Sequence, residues 1–103
     1  LANGDRYEGA FDQGRRHGEG TYAFASGNSY KGRFQDDKMH GKGVFTYENG
    51  DRYEGEFAKG LQNGPGIFHY ADGTRFEGNF VDGKRSGHGI LIYRNGDRVE
   101  GEF

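Results

Sequence analysis

The chain has no Cys and no Trp, a single Pro, and only 31% hydrophobic residues over 103 positions. Without Cys there are no disulfides, no zinc finger and no thiol catalysis; a reducing compartment is permitted but not demanded. No apolar run approaches the roughly 18 residues of a membrane-spanning helix, and Leu1–Ala10 carries no secretory signal pattern. An excess of one charge is also missing. The 14 Lys and Arg against 16 Asp and Glu leave a formal charge of -2, so no global field draws in nucleic acid. A mean hydropathy of -1.05 leans toward a disordered linker. Seven Tyr and nine Phe oppose that reading, because disordered chains are poor in aromatics, and 21 Gly with one Pro fall short of low complexity. So few aliphatic residues argue against a conventional two-layer core.

What is present follows a fixed period. Tyr7-Glu8-Gly9-Ala10-Phe11 returns as Tyr30-Lys31-Gly32-Arg33-Phe34, Tyr53-Glu54-Gly55-Glu56-Phe57, Phe76-Glu77-Gly78-Asn79-Phe80 and Val99-Glu100-Gly101-Glu102-Phe103, each 23 residues on. The chain therefore divides into whole repeats at 7–29, 30–52, 53–75 and 76–98. Residues 1–6 end a preceding repeat and residues 99–103 start a further one. With Tyr7 as position 1, every glycine falls at position 3, 8, 12, 14 or 21, and Asp37 is the one departure from the position-8 glycines. Every aromatic falls at position 1, 5, 16 or 18.

Positions 1, 3 and 5 alternate aromatic-Gly-aromatic, and positions 14, 16 and 18 read Gly-aromatic-aromatic at the same period of two, which describes β-strands. Helices are disfavoured, since each interior Gly costs about 1 kcal/mol against Ala. The stretch from Asp12 to Gly18 and its equivalents read as turns, as do Ser26-Gly27-Asn28, Asn49-Gly50-Asp51, Asp72-Gly73-Thr74 and Asn95-Gly96-Asp97. The expectation is an all-β, elongated, single-layer antiparallel meander of hairpins, about 40–45 Å long at about 4.8 Å per strand. In the expected register position 1 faces 18, 3 faces 16 and 5 faces 14. Gly9 then lies opposite Tyr22 and Phe11 opposite Gly20, with each ring over bare backbone. Pairing position 18 with the next position 1 continues the match between repeats. With no helix to cover it, the aromatic face is expected to stay partly open as a stripe or groove that takes a partner.

The opposite face is mixed. Positions 2 and 4 are largely charged, while positions 15 and 17 grow more apolar toward the C-terminus, from Thr21 and Ala23 to Ile90 and Ile92. Two readings stand there: β-propensity on a solvated face, or a contact surface near Ile67, Ile90 and Ile92. Arg6, Arg52, Arg75 and Arg98, just before position 1, are placed to pair with the acidic ladder or to stack on rings.

Tyr-x-Gly-x-Phe, Asp-Gly-Lys-Arg/His-Gly-x-Gly and x-Tyr-x-x-Gly together resemble the MORN (membrane occupation and recognition nexus) repeat. The run from Asp36 to Gly50 is a very close match, and the resemblance covers the whole chain. Position 5, often Trp in that family, is Phe throughout. The resemblance implies a rod or groove of β-hairpins without catalysis of its own. Family members act as cytoskeletal scaffolds, as myosin-tail or membrane-junction modules, and as regulatory segments of lipid kinases and a lysine methyltransferase. Gapless 23-residue arrays resemble the scaffold type, which tends to dimerise through its ends.

The expected function is thus a non-enzymatic scaffold, cytoplasmic and either cytoskeletal or at the cytoplasmic face of a membrane. It binds proteins or peptides and a second copy of itself, with no nucleic acid, metal or cofactor. The expected partner-binding face comprises Tyr7, Phe11, Tyr22, Phe24, Tyr30, Phe34, Phe45 and Tyr47, continuing through Tyr53, Phe57, Phe68, Tyr70, Phe76, Phe80 and Tyr93. The alternatives are a phosphoinositide-binding membrane module, or a regulatory segment of a larger lipid kinase or methyltransferase. Lipid contact would fall to Arg15, Arg16, Lys38, Lys84 and Arg85, although Asp12, Asp36, Asp37 and Asp82 stand in or beside the same turns. His17 and His40, one repeat apart, are about 10 Å from each other, too far to share a metal. His69 and His88 fall in other columns, and all four read as structural or solvated. No Ser-His-Asp set or carboxylate pair rises above the repeat pattern. Leu1 falls at position 18 and Phe103 at position 5, so the expectation is a piece of a longer array with two edge strands open to pairing.

Overall fold

A computed structural model describes residues 3–102. Nine strands follow one another: β1 (Arg6–Asp12), β2 (Arg15–Ala23), β3 (Ser29–Gln35), β4 (Lys38–Thr46), β5 (Arg52–Ala58), β6 (Leu61–His69), β7 (Arg75–Val81), β8 (Lys84–Ile92) and β9 (Arg98–Glu102). They form one antiparallel sheet in sequence order, a meander of hairpins without helices among the described residues. The body measures 47 × 24 × 17 Å. Leu1 and Phe103, expected within strands, lie outside the described residues.

The hairpin turns inside each repeat are shorter than expected. Only Gln13 and Gly14 lie between β1 and β2, and β2 already begins at Arg15. Both turn residues have positive φ (53° and 78°), as do Asp36 and Asp37 (50° and 69°), Lys59 and Gly60 (53° and 85°), and Asp82 and Gly83 (49° and 85°). This is the type I′ pattern, whose twist matches that of the strands it joins.

That turn decides the register, and the register differs from the expected one by two residues. Asp12 pairs with Arg15 and Phe11 with Arg16; a bulge follows, and then Gly9 pairs with Gly20 and Tyr7 with Tyr22. Between repeats the same offset holds, with Tyr22 opposite Tyr30 and Gly20 opposite Gly32. Position-3 glycines face position-14 glycines and position-1 residues face position 16, while Phe34, Phe57 and Phe80 at position 5 face Gly18, Gly41 and Gly64 on the preceding strand and Met39, Gln62 and Arg85 on the following one. A shift of two preserves the side of the sheet each residue points to, so all the rings still share one face. The ring-over-glycine contact survives in another form. The Tyr53 ring lies across Gly55 on its own strand and Gly66 on the next. A methyl added to Gly55 would come 2.6 Å from Tyr53 Oη, and one on Gly66 would come 2.6 Å from its Cε1.

The position-1 hydroxyl also serves the bulge. Tyr7, Tyr30 and Tyr53 donate to the carbonyls of Ala10, Arg33 and Glu56 at 2.7, 2.8 and 2.9 Å. The fourth repeat has Phe76 and no hydroxyl; there Asn79 pairs directly with Ser86, a rung the other repeats lack. The bulge is thus handled by a side chain where Tyr is present and by the ladder where it is not.

The aromatic face is partly open, as expected, and partly core: of the fifteen rings named above, seven are buried, six are half-buried, and Phe11 and Tyr93 are exposed. Tyr22, Tyr30, Phe34, Tyr53, Phe57, Phe76 and Phe80 are buried, with Tyr30, Tyr53 and Phe76 fully covered. Phe34, Phe57 and Phe80 at position 5 each stand edge-on between two position-1 rings, while Phe11 meets Tyr7 at 5.0 Å and stays exposed. Phe34 meets Tyr7 and Tyr30 at 5.2 and 5.1 Å, Phe57 meets Tyr30 and Tyr53 at 5.1 and 5.2 Å, and Phe80 meets Tyr53 and Phe76 at 5.0 and 5.6 Å. The interplanar angles of 84–87° are those the ring quadrupoles favour, worth about 0.5–1.5 kcal/mol per pair beyond area burial. A single layer buries its rings because glycine backbone lets them lie down on the sheet itself.

Repeats are stitched along both long edges. At one, Asp5, Asn28 and Asp51 accept through Oδ1 from the backbone N–H of Ala25, Glu48 and Ala71 at 2.7, 2.8 and 2.8 Å. At the other, Asp37, Gly60 and Gly83 donate from N–H to the carbonyls of Arg16, Met39 and Gln62 at 3.1, 3.0 and 2.9 Å.

Candidate interaction groove

On the side of the sheet away from the rings, a groove of about 1080 Å³ runs from β2 to β8. Its floor is the glycine column, including Gly32, Gly43, Gly55, Gly66, Gly78 and Gly89. The Cβ positions these glycines lack point into the rings on the other face, so on this face they present backbone alone.

The pairing register builds two walls from residues flanking the glycines. One wall is a cross-strand row in which each residue is the direct partner of the next: Lys31, Val44, Glu54, Ile67, Glu77 and Ile90, continuing to Glu100. The facing wall carries Glu19, Lys42, Glu56, Pro65, Asn79 and His88. Pro65 is accommodated in the interior strand β6, opposite Asn79 and beside a floor glycine. Charge changes along the groove, with Lys31 and Lys42 toward β3 and β4, and Glu54, Glu56 and Glu77 beyond them.

Outside the first wall stands the arginine row. Arg52 holds Glu54 at 2.8 Å and Arg75 holds Glu77 at 2.7 Å, so these arginines pair with acids rather than stack on rings. His69 Nε2 also reaches Glu54, at 3.0 Å, and His88 Nε2 reaches Glu100 at 3.0 Å. Among the described residues no group of three His, Cys, Asp or Glu is arranged to hold a metal ion.

The residues expected to bind partners sit elsewhere. Tyr30, Phe34, Tyr53, Phe57, Phe76, Phe80 and Tyr22 are covered; Tyr7, Phe24, Phe45, Phe68 and Tyr70 pack half-buried against them. Tyr47 is held by Gln62, whose Nε2 donates to its hydroxyl at 3.2 Å. Phe11 and Tyr93 are the exposed rings, at 61% and 42%. Burial raises the phenols of Tyr30 and Tyr53 from 10.0 to about 12. Of Ile67, Ile90 and Ile92, which the sequence left as either a solvated face or a contact surface, Ile67 and Ile90 line the groove and Ile92 does not. The sequence did not single out Glu54, Glu77, Val44 or the glycine floor. The signal for those was the column arrangement itself, with acidic position 2 beside aliphatic position 15.

Arg15, Arg16, Lys38, Lys84 and Arg85 share one long edge of the sheet, beside the two-residue turns, but do not form one cluster. Arg15 lies 3.6 Å from Asp36. Arg16 is clamped by Asp37, donating to its carboxylate from Nε at 3.0 Å and from the backbone at 2.8 Å, and its guanidinium lies 4.7 Å from the Tyr22 ring centre. These bonds, the backbone one first, hold the Asp37 carboxyl below the usual range. The one departure in the position-8 glycine column is thereby explained: Asp37 anchors Arg16 over the first repeat's rings. Arg85 lies over Phe76 at 5.1 Å. At the opposite edge, Tyr22's hydroxyl and then the Ala25 N–H lower the Asp5 pKa.

A single open sheet of repeated hairpins, with a core of its own rings and a long glycine-floored groove, defines a β-hairpin repeat module. It is not a known catalytic fold. The MORN repeat family model matches residues 7–29, 30–52, 53–75 and 76–98, and the chain belongs to that family. Comparison with curated proteins finds no match to this chain.

Proposed function

We propose that this chain is a non-enzymatic protein-interaction module that takes a partner segment in its glycine-floored groove. The observation that supports this reading is the exchange of roles between the two faces. Seven of the fifteen rings expected to meet a partner are buried as core and six more are half-buried, which leaves Phe11 and Tyr93 exposed on that face. The other face offers a groove of about 1080 Å³ with aliphatic and charged walls. Its size falls at or above that of typical ligand sites, and its open, elongated form suits a polypeptide better than a small molecule.

The test is selection of displayed peptides against the chain, followed by binding measurements on two variants. Ile67→Arg blocks the groove; Tyr93→Ser removes the exposed ring on the other face. Selected peptides are expected to lose binding to the first and keep it for the second, with both variants checked by thermal melting. Peptides that ignore Ile67→Arg and fail on Tyr93→Ser would return the partner site to the aromatic face.

A further inference from the structure

The groove's first wall has a period of its own. Lys31, Val44, Glu54, Ile67, Glu77, Ile90 and Glu100 are successive cross-strand neighbours, so acid and aliphatic alternate at about 4.8 Å per step and acids recur at about 9.6 Å. An α-helix advances about 10.5 Å in seven residues and about 5.4 Å in one turn. A helix laid lengthwise over the glycine floor therefore meets a carboxylate at every second turn and an aliphatic side chain at the turn between. The drift of about 1 Å per repeat lies within the reach of Lys and Arg side chains.

Two physical arguments favour a helix over an extended segment. A partner lying along the groove crosses the strands, whose backbone groups are already paired with one another, so an extended chain finds no ladder to join. Its own N–H and C=O groups would be pressed against Val44, Ile67, Pro65 and Ile90 without partners, whereas a helix satisfies them internally. From β2 to β8 is about 29 Å, the length of about 19 helical residues.

Resting on the groove reading above, we propose that the partner is a basic amphipathic helix. It sets Lys or Arg at every seventh residue against Glu54, Glu77 and Glu100, with apolar residues between them against Ile67 and Ile90. Where Lys31 stands in the row in place of an acid, before it continues through Thr21 to Glu8, the partner carries an acidic residue. Arg52 and Arg75 do not close the site. Arg52 and His69 both use the same oxygen, Oε1, of Glu54. A carboxylate offers about four acceptor positions, and the Glu54 and Glu77 side chains remain 42% and 38% exposed. Pairs this exposed are weak enough to admit a second cation.

The probe is a labelled synthetic helix of about 20 residues with Lys at every seventh position and Leu one turn on. It is compared by fluorescence anisotropy with a peptide of the same composition and helicity whose Lys recur at every fifth position. The in-register peptide is expected to bind about tenfold more tightly, a difference of the size two good charge contacts supply. In a Glu54→Lys, Glu77→Lys variant this preference disappears, and a peptide with Glu in place of Lys restores it. Should the double variant melt early, the single variant Glu77→Gln reads the same preference. Equal binding of the two peptides, or indifference to the charge changes, overturns the helix proposal. If both bind equally yet fail on Ile67→Arg, the groove reading stands while the helix register falls. If neither binds, the helix proposal is wrong, and the groove stands or falls by the peptide selection.

Discussion

Gly55 and Gly101 occupy the same repeat position and meet opposite surroundings. A methyl on Gly55 would stand 2.6 Å from the Gly66 Cα and 2.6 Å from Tyr53 Oη; one on Gly101 meets nothing within 4 Å. Backbone cannot step aside as a flexible side chain can. Gly55→Ala is therefore expected to destabilise by roughly 1–3 kcal/mol, while Gly101→Ala stays within about 0.5 kcal/mol. Urea titrations of the two variants separate a glycine required by contact from one required only by membership in the repeat. Equal effects would mean that the rings do not lie on the backbone. The phenols offer a second reading of the same packing. Burial raises Tyr30 and Tyr53 from 10.0 to about 12 in the folded chain, whereas unfolded tyrosines ionise near their ordinary value. Their contribution is complete below about pH 10 and is lost as pH rises through about 12, because the unfolded state gives up its protons first. The melting temperature should hold to pH 9 and fall between pH 10 and 12. A Tyr30→Phe, Tyr53→Phe double variant, weaker at neutral pH by about 1 kcal/mol per lost hydroxyl bond, should show a shallower alkaline fall. An unchanged slope would assign that fall to other groups.

At the scale of the hairpin, the period and the shared face of the rings could be read from the columns alone, but the register could not. Position 1 opposite 18 and position 1 opposite 16 have the same parity, so alternation cannot choose between them. The choice is made by Gln13-Gly14 and its equivalents, whose two positive-φ residues close a turn tighter than the polar stretch around them implied. The bulge after Gly9 then restores ring against ring. The contacts between hairpins were equally hidden, because Asp5, Asn28 and Asp51 look like ordinary turn residues. Each in fact accepts from the backbone N–H of Ala25, Glu48 or Ala71 in the next inter-repeat turn. The same position holds Thr74, which has neither carboxylate nor carboxamide, and among the described residues this rung is not made there. Thr74→Asn should supply the acceptor that Asn28 supplies and stabilise by about 0.5–1.5 kcal/mol. An unchanged melting temperature would show that the rungs contribute nothing net. Asp51→Ala should lower stability by a similar amount.

At the scale of the whole molecule, composition misleads in an instructive way. A chain with 31% hydrophobic residues has too few to build two layers, and the expectation that a lone aromatic face stays partly open for a partner followed from that. It overlooked that glycine removes the side-chain layer beneath a ring, so one sheet can bury Tyr30, Tyr53 and Phe76 completely. The same glycines leave the reverse face without a ridge along its centre, and the groove is the other side of the core's requirement. Glu54, Ile67, Glu77 and Ile90 were visible as columns, yet their meeting in one cross-strand row depended on the register that parity left open. That is why Ile67 and Ile90 could be suspected and the acids between them could not.

The central claim is that partners meet the glycine floor and not the rings, and the glycine amides report on it directly. Titrating the chain with a selected peptide while recording ¹⁵N–¹H spectra should shift the amides of Gly43, Gly55, Gly66 and Gly78 along the groove. Gly60 and Gly83 at the turn edge, and Phe24 and Tyr93 on the ring side, should stay in place. Shifts concentrated at Phe24, Tyr93, Gly60 and Gly83, with the floor glycines unmoved, would contradict the account.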